Sequence, residues 1–206
     1  MVVDPKRTGG RAVKSLYHGD YEAPERLIAR EMIRPGDKIL EAGAGMGLVS
    51  LTMARIVGAE NVVSYEPMPA AYSLLVDNAL LNDLAIDHRP RALSVTNGSV
   101  KLYIDANVVA SSLYARANST SIEVDSDGIV ETLQTTGANA LVLDVEGSEV
   151  ELIKSSPLTG VEKIIMEIHP HIVGEPAINA MLEHLSVSGF RRNAPLSHGR
   201  VLTFLR

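Results

Sequence analysis

Three glycines at alternate positions, Gly43, Gly45 and Gly47, follow Glu41 directly behind the apolar pair Ile39-Leu40. A second short run, Val62-Val63-Ser64-Tyr65, closes on another acid, Glu66. Glycines let a backbone wrap closely around a ligand, and a helix beginning after such a loop presents unpaired N–H groups. A carboxylate at the end of the next strand can accept both hydroxyl hydrogens of a ribose. The two features together describe a site for an adenosine-bearing cofactor at the edge of a parallel sheet.

The spacing narrows the choice. A dinucleotide fingerprint, G-x-G-x-x-G, begun at Gly43 would need its third glycine at position 48, where the chain has Leu48. Glu41 suits the positive amino-acid end of S-adenosyl-L-methionine, directly or through water. The same carboxylate would repel a pyrophosphate. S-adenosyl-L-methionine is therefore the expected cofactor.

Further acids close later apolar runs. Asp144 and Glu146 follow Ala140-Leu141-Val142-Leu143, and open α/β sheets bind ligands at such strand ends. Asp144 is expected to position the donor or the acceptor. Glu146 is a candidate base, or else a cap for the following helix. Glu167, His169 and His171 alternate after Lys163-Ile164-Ile165-Met166. His169 is the preferred acid/base group because imidazole exchanges a proton near neutral pH, with Glu167 to orient it or hold a hydroxyl. A satisfied hydrogen-bond cluster at the sheet edge is the structural alternative. Carboxylates plus imidazole also suit a divalent ion, but the spacing does not define a metal site and none is expected. His18, Tyr21 and Glu22 precede the first core helix and are read as a lid over the donor, or as ordinary surface. Arg116, Arg191 and Arg192 are candidates to meet an acidic acceptor, and loop 106–120 is a candidate acceptor wall.

The elements that must carry these residues alternate. A helix is expected over 23–33, with Pro24 in its first turn and Leu27, Ile28 and Met32 as its buried stripe. Strand 38–42, helix 46–57, strand 62–66 and helix 70–80 follow. Residues 90–95 and 100–105 read as strands about Thr96-Asn97-Gly98, whose asparagine-glycine pair favours a tight turn. A loop or strand over 106–129 leads to a short helix at 130–136, strand 140–144, helix 148–154, strand 163–168, helix 176–187 and a closing pair at 189–193 and 200–205. Strands this apolar belong to a sheet covered on both faces, so the class is α/β with a mostly parallel sheet.

Length and composition fit one substantial core: 206 residues, 46% hydrophobic and 21% charged. A net charge of -6 without a basic run weakens any reading that needs a phosphate track, and 4% aromatic residues leave few groups for base stacking. No nucleic-acid partner is expected. Without cysteine the chain has no disulfide, thiolate ligand or thiol nucleophile. The start, Met1 to Arg7, does not read as a signal peptide, and no run of about 20 apolar residues exists to span a bilayer. A cytoplasmic protein without membrane insertion is expected.

Three blocks give the chain a resemblance to the class I S-adenosylmethionine-dependent methyltransferases, and more narrowly to the FkbM family. They are Tyr21-Glu22 with Pro35-Gly36-Asp37 and Glu41 to Gly47, then Tyr65-Glu66-Pro67 with Asn78 to Asn82, then Leu143 to Glu149 echoed by Met166-Glu167-Ile168-His169. The chain departs from that pattern at Val142, where a lysine is common, and at Glu131-Thr132-Leu133-Gln134. The resemblance implies a Rossmann-like fold with helices on both faces of the sheet and an antiparallel C-terminal strand. It implies one donor-binding domain over 1–206, with 1–33 as a helical or lid segment. The implied donor site comprises Glu22, Glu41, the three glycines, Glu66 and Asn82, with Asp144 and Glu146 facing the reaction crevice. The implied activity is O-methylation of a small hydroxylated acceptor, a sugar or natural product. An NAD-dependent oxidoreductase and a donor-binding subunit without turnover are the alternatives.

Overall fold

A computed structural model describes residues 1, 2, 4, 7, 10–104, 111–114 and 120–206, the side chains of 11, 111 and 112 excepted. The N-terminal half runs through α1 (Gly10–His18), α2 (Ala23–Met32), β1 (Ile39–Ala42), α3 (Leu48–Val57), β2 (Val62–Tyr65), α4 (Pro69–Leu81) and β3 (Asp87–Arg89). The middle forms β4 (Ala92–Ser94), β5 (Gly98–Ile104), β6 (Ser111–Ser112), β7 (Thr120–Gly128) and α5 (Ile129–Thr136). The remainder forms β8 (Ala140–Leu143), α6 (Glu149–Ser155), β9 (Lys163–Glu167), α7 (Pro170–Val173), α8 (Glu175–Val187), β10 (Arg191–Arg192) and β11 (Val201–Leu205).

A seven-stranded sheet has the order β10-β11-β9-β8-β1-β2-β3. Strands β9, β8, β1, β2 and β3 are parallel, and β11 runs antiparallel to β9. Side chains alternate between its two faces, as strand geometry requires. Leu40, Leu141, Leu143, Ile164 and Met166 pack with residues of α5, α6 and α8. Ile39, Ala140, Val142 and Ile165 pack with α2 and α3 on the other side. Both faces are dry, which is why these strands carry apolar residues in unbroken runs.

Several local expectations change. Leu27 faces outward on α2 while Ile28, Ala29 and Met32 are buried. Helix α3 starts at Leu48 rather than 46, because Gly47 at φ +89° still belongs to the loop. Residues 10–18, within the segment expected to be helical or a lid, form α1, and β3 adds an edge strand that the pattern did not announce. The Asn97-Gly98 turn does not close a hairpin. In the smaller sheet, β4-β7-β5-β6, strand β7 lies between β4 and β5, parallel to the first and antiparallel to the second. Asn97 instead uses its side chain, accepting from the Gly128 N–H at 2.7 Å and donating to Glu131 Oε2 at 2.6 Å.

At the amino edge of the large sheet, Asp37 ties three strand starts together. Its Oδ2 accepts from Lys163 Nζ at 2.6 Å and from the Arg34 N–H at 2.7 Å, and Oδ1 accepts from Asn139 Nδ2 at 3.1 Å. Asn139 Oδ1 in turn accepts from the Lys38 N–H at 2.8 Å. Removing a buried carboxylate strands its lysine partner and two donors. Asp37→Ala is therefore expected to cost about 2–4 kcal/mol in urea denaturation while leaving the opposite, carboxyl edge intact.

Candidate active site

Register alone builds the floor of the site. Ala42 pairs with Tyr65 and Leu143, and Leu143 pairs with Met166. The next residue in each strand therefore falls in one row across the carboxyl edge: Gly43, Glu66, Asp144 and Glu167. At Gly43, φ is +84° and an added Cβ would stand 1.8 Å from the Asp144 carbonyl oxygen. No other residue fits there, so the glycine loop and the β8 end press against each other. A cavity opens above, walled by Glu22, Gly45, Glu66, Asp144 and Glu146 among others.

Glu66 is 5% exposed, and its carboxylate is clasped by backbone donors. Oε2 accepts from the Gly45 N–H at 2.7 Å and Oε1 from the Met68 N–H at 2.8 Å. Each oxygen keeps a further lone pair, so the group can still receive two hydroxyl hydrogens. Burial pushes its pKa up to about 7 against the pull of those N–H donors, with Glu41 adding to the rise.

Glu41 does not line this cavity. Strand alternation turns it to the α2/α3 side, where Oε2 accepts from Ser50 Oγ at 2.5 Å and Ser64 Oγ at 2.6 Å. Burial raises its pKa while the two serines oppose the rise. A second, smaller cavity on that side is walled by Glu22, Glu25, Glu41, Asp144 and Glu167. Glu22 borders both cavities, at φ +48°, a strained position for a side chain with a Cβ. Its Oε2 is buried without a hydrogen-bond partner, and burial with Glu41 and Glu25 nearby raises its pKa to about 8. Tyr21 lies against it in the cavity wall.

Asp144, Glu146, Glu167 and His169 converge. His169 is 2% exposed, and its Nε2 stands 3.7 Å from Glu146 Oε2, 3.8 Å from Asp144 Oδ1 and 3.9 Å from Glu167 Oε1. These are ion-pair separations beyond hydrogen-bond length. Burial lowers the imidazole pKa, but Glu149, Glu146 and Glu167 outweigh it and the net shift is upward. Asp144 is held well above the usual carboxylate range by burial and by Glu167, Glu146, Glu22 and Glu25. Its side chain keeps 39% exposure toward the cavity, while Oδ1 points inward with no hydrogen-bond partner.

Glu149 completes this group and was not singled out from sequence. Fully buried, it accepts from the Gly147 N–H through Oε2 and from the His169 N–H through Oε1, both at 2.8 Å. The available signal was an acid in the first turn of α6, two residues past a glycine. Asn78 was also passed over: its Nδ2 donates to the Met46 carbonyl at 2.9 Å, fixing the glycine loop on α4. Arg7, from the N-terminal segment, enters the cavity wall and pairs with Asp77 at 2.9 Å.

Other candidates stand apart. Asn82 ends α4, accepting from Arg55 Nη2 at 2.8 Å and donating to the Asn78 carbonyl at 2.8 Å, and is not among the cavity-lining residues. His18 is exposed beside Tyr17, and His171 is exposed on α7. Arg191 and Arg192 form the exposed edge strand β10. Arg116 and most of loop 106–120 lie outside the described residues.

No family model matches the chain. A stretch of 82 residues, 39% of the chain, is 33% identical to the ribosomal protein L11 methyltransferase of Symbiobacterium thermophilum, and spans only 26% of that relative. Among solved structures, the magnesium protoporphyrin IX methyltransferase of Synechocystis with bound S-adenosylmethionine gives a TM-score of 0.56 at 13% identity, over 94% of this chain and 83% of that one. The ribosomal protein L11 methylase of Lactobacillus delbrueckii subsp. bulgaricus gives 0.53 at 13% identity, over 88% and 74%. An S-adenosylmethionine-dependent O-methyltransferase of Thermotoga maritima gives 0.53 at 16% identity, over 89% and 64%. The fold is thus the class I Rossmann-like methyltransferase fold, as the sequence implied. The narrower expectation of the FkbM family is overturned: no family model matches, and the matching structures are class I methyltransferases of other kinds.

A carboxylate whose pKa is raised from 4.5 to about 7 by folding favours the folded state while protonated. That contribution is complete below about pH 4.5 and is lost as pH rises through 7. Between pH 5 and pH 8, the unliganded wild type is expected to lose on the order of 3 kcal/mol relative to Glu66→Gln. Urea denaturation of both proteins across that range measures the difference; parallel curves would show that Glu66 ionises normally.

Proposed function

We propose that this protein is an S-adenosylmethionine-dependent O-methyltransferase whose acceptor is a small hydroxylated metabolite or sugar. The observation that carries the reading is the clasped Glu66 carboxylate, held by the Gly45 and Met68 N–H groups with a lone pair left on each oxygen. A vicinal diol such as a ribose fits that pair of acceptors. The orphaned Glu22 Oε2, also at the cavity edge, calls for a cationic partner such as the donor's ammonium. Gly45 offers the open space between them, since an added Cβ would meet only Glu22 Oε1 at 3.5 Å and the Tyr21 hydroxyl at 3.9 Å.

The bound donor would supply an electrophilic methyl carbon on a positive sulfur. Asp144, across the crevice from Glu66, orients the acceptor hydroxyl. Glu146, 24% exposed and in the same wall, takes its proton as the oxygen attacks. Tyr21, Glu22 and Arg7, all N-terminal to the core-packed helix α2, cover the crevice and limit water in it. The preference for a small acceptor rests on charge. A cavity bordered by Glu22, Glu66, Asp144 and Glu146 disfavours a phosphodiester chain. The same surplus of acid disfavours a dinucleotide pyrophosphate.

Glu66→Ala is expected to weaken donor binding by about 1.5–3 kcal/mol in calorimetry, the loss of charge-assisted hydrogen bonds. Unchanged affinity would remove Glu66 from the donor site. Glu146→Gln is expected to lower transfer of labelled methyl to a hydroxylated acceptor about 100- to 10,000-fold with donor affinity retained. A panel of sugars, other hydroxylated metabolites and ribosomal substrates then separates the small-acceptor reading from a macromolecular one.

A further inference from the structure

Four carboxylates, Asp144, Glu146, Glu149 and Glu167, surround the buried His169 imidazole. Glu149 is satisfied by two backbone N–H groups, and Arg200 Nη2 reaches Glu167 Oε1 at 2.7 Å. Asp144 Oδ1 has no hydrogen-bond partner, and His169 Nε2 approaches three carboxylate oxygens without bonding to any. Asp144 Oδ1 and His169 Nε2 face one another 3.8 Å apart.

We infer that His169 Nε2, Asp144 Oδ1 and the Glu167 carboxylate form a binding site for a first-row divalent cation in the wall of the crevice. One ligand atom from each residue lies within 4.8 Å of the others. The separations from Nε2 to Asp144 and Glu167, 3.8 and 3.9 Å, are spanned by two ligand bonds of about 2.1 Å. One imidazole with two carboxylates is a donor set for ions of the Mn²⁺ to Zn²⁺ type rather than for Mg²⁺ or Ca²⁺, which prefer oxygen alone. The His169 N–H bond to Glu149 fixes the backbone that carries the imidazole, a supporting contact of the kind metal ligands use. Asp144 also lines the large cavity, so an ion here would have open positions toward an acceptor oxygen and would acidify a coordinated hydroxyl. That consequence rests on the proposed methyl transfer; the cation site does not.

Titration of the metal-free full chain with Mn²⁺, followed by loss of the free-ion resonance signal and by calorimetry, is expected to show one ion per chain. Asp144→Asn and His169→Gln should each weaken uptake at least about 10-fold. Replacing the buried His169 also perturbs packing, so Arg200→Gln supplies an independent measure. Arg200 is 55% exposed, and removing its charge from Glu167 should tighten Mn²⁺ binding by about 2- to 5-fold. No saturable uptake by wild type and Arg200→Gln, or uptake that Asp144→Asn and His169→Gln leave unchanged, overturns the site. S-adenosylhomocysteine binding in the same preparations reports on Glu66 separately, so failure of the cation site and failure of the donor reading are told apart.

Discussion

Glu66 is held by two backbone N–H groups from different segments, the glycine loop at Gly45 and the start of α4 at Met68. That clasp fixes the loop, the strand end and the helix start relative to one another. It also takes a carboxylate out of water with hydrogen bonds but, among the described residues, no salt-bridged cation. The same condition recurs along the carboxyl edge of the sheet. Glu41 is answered by serine hydroxyls, Glu149 by backbone N–H groups and Glu167 by Arg200. Glu22, Glu25 and Asp144 each keep a buried oxygen with no hydrogen-bond partner. An edge built this way is stable as neutral acid or as carboxylate with a bound cation, and poorly as bare carboxylate.

Backbone geometry holds the acids in place despite that cost. The contact of Gly43 with the Asp144 carbonyl brings β1 and β8 so close that no side chain can intervene. Beyond it, Glu146 adopts φ +48° and Gly147 φ +107°, turning the chain so that Glu149 comes back beneath His169. Non-glycine residues in the left-handed region are uncommon and concentrate at functional sites. Here Glu22 and Glu146 both adopt it and both border the large cavity. The strain aims carboxylates that straight strands would have sent into the helical layers.

Sequence showed much of this and missed the rest for identifiable reasons. The parallel core was legible because its strands are apolar on both faces and each is followed by a helical pattern. The row of Gly43, Glu66, Asp144 and Glu167 was legible too, since every apolar run ends in its own conspicuous residue. The position of Glu41 was not: alternation fixes its face only once the register is known. Asn97-Gly98 misled because turn preference is local, whereas the insertion of β7 between β4 and β5 is a long-range pairing. Glu149 looked like an ordinary acid in a first helical turn, and its bond to the His169 N–H spans twenty positions of sequence. Charge compensation is in general invisible to spacing, because the partners are supplied by the fold.

The acid on this edge falls into two groups with separate cation demands. Glu22 and Glu66 flank the glycine loop at β1 and β2, where a sulfonium-bearing donor would answer them. Asp144, Glu167 and His169 sit at β8 and β9, on the far side of Gly43. Among the described arginines, Arg7 is bound to Asp77 on α4, Arg200 reaches Glu167 from solvent, and Arg26 acts on Glu22 through its charge. Among the described residues, none of these arginines forms a salt bridge with Glu22, Glu66 or Asp144. A single organic cation at the loop leaves Asp144 unanswered, and a metal beside His169 would leave Glu66 free to hold a diol. The crevice between them is then bordered by two positive centres with Glu146 in its wall. An acceptor oxygen would be drawn there as it loses its proton, because the deprotonated form is the one both centres attract.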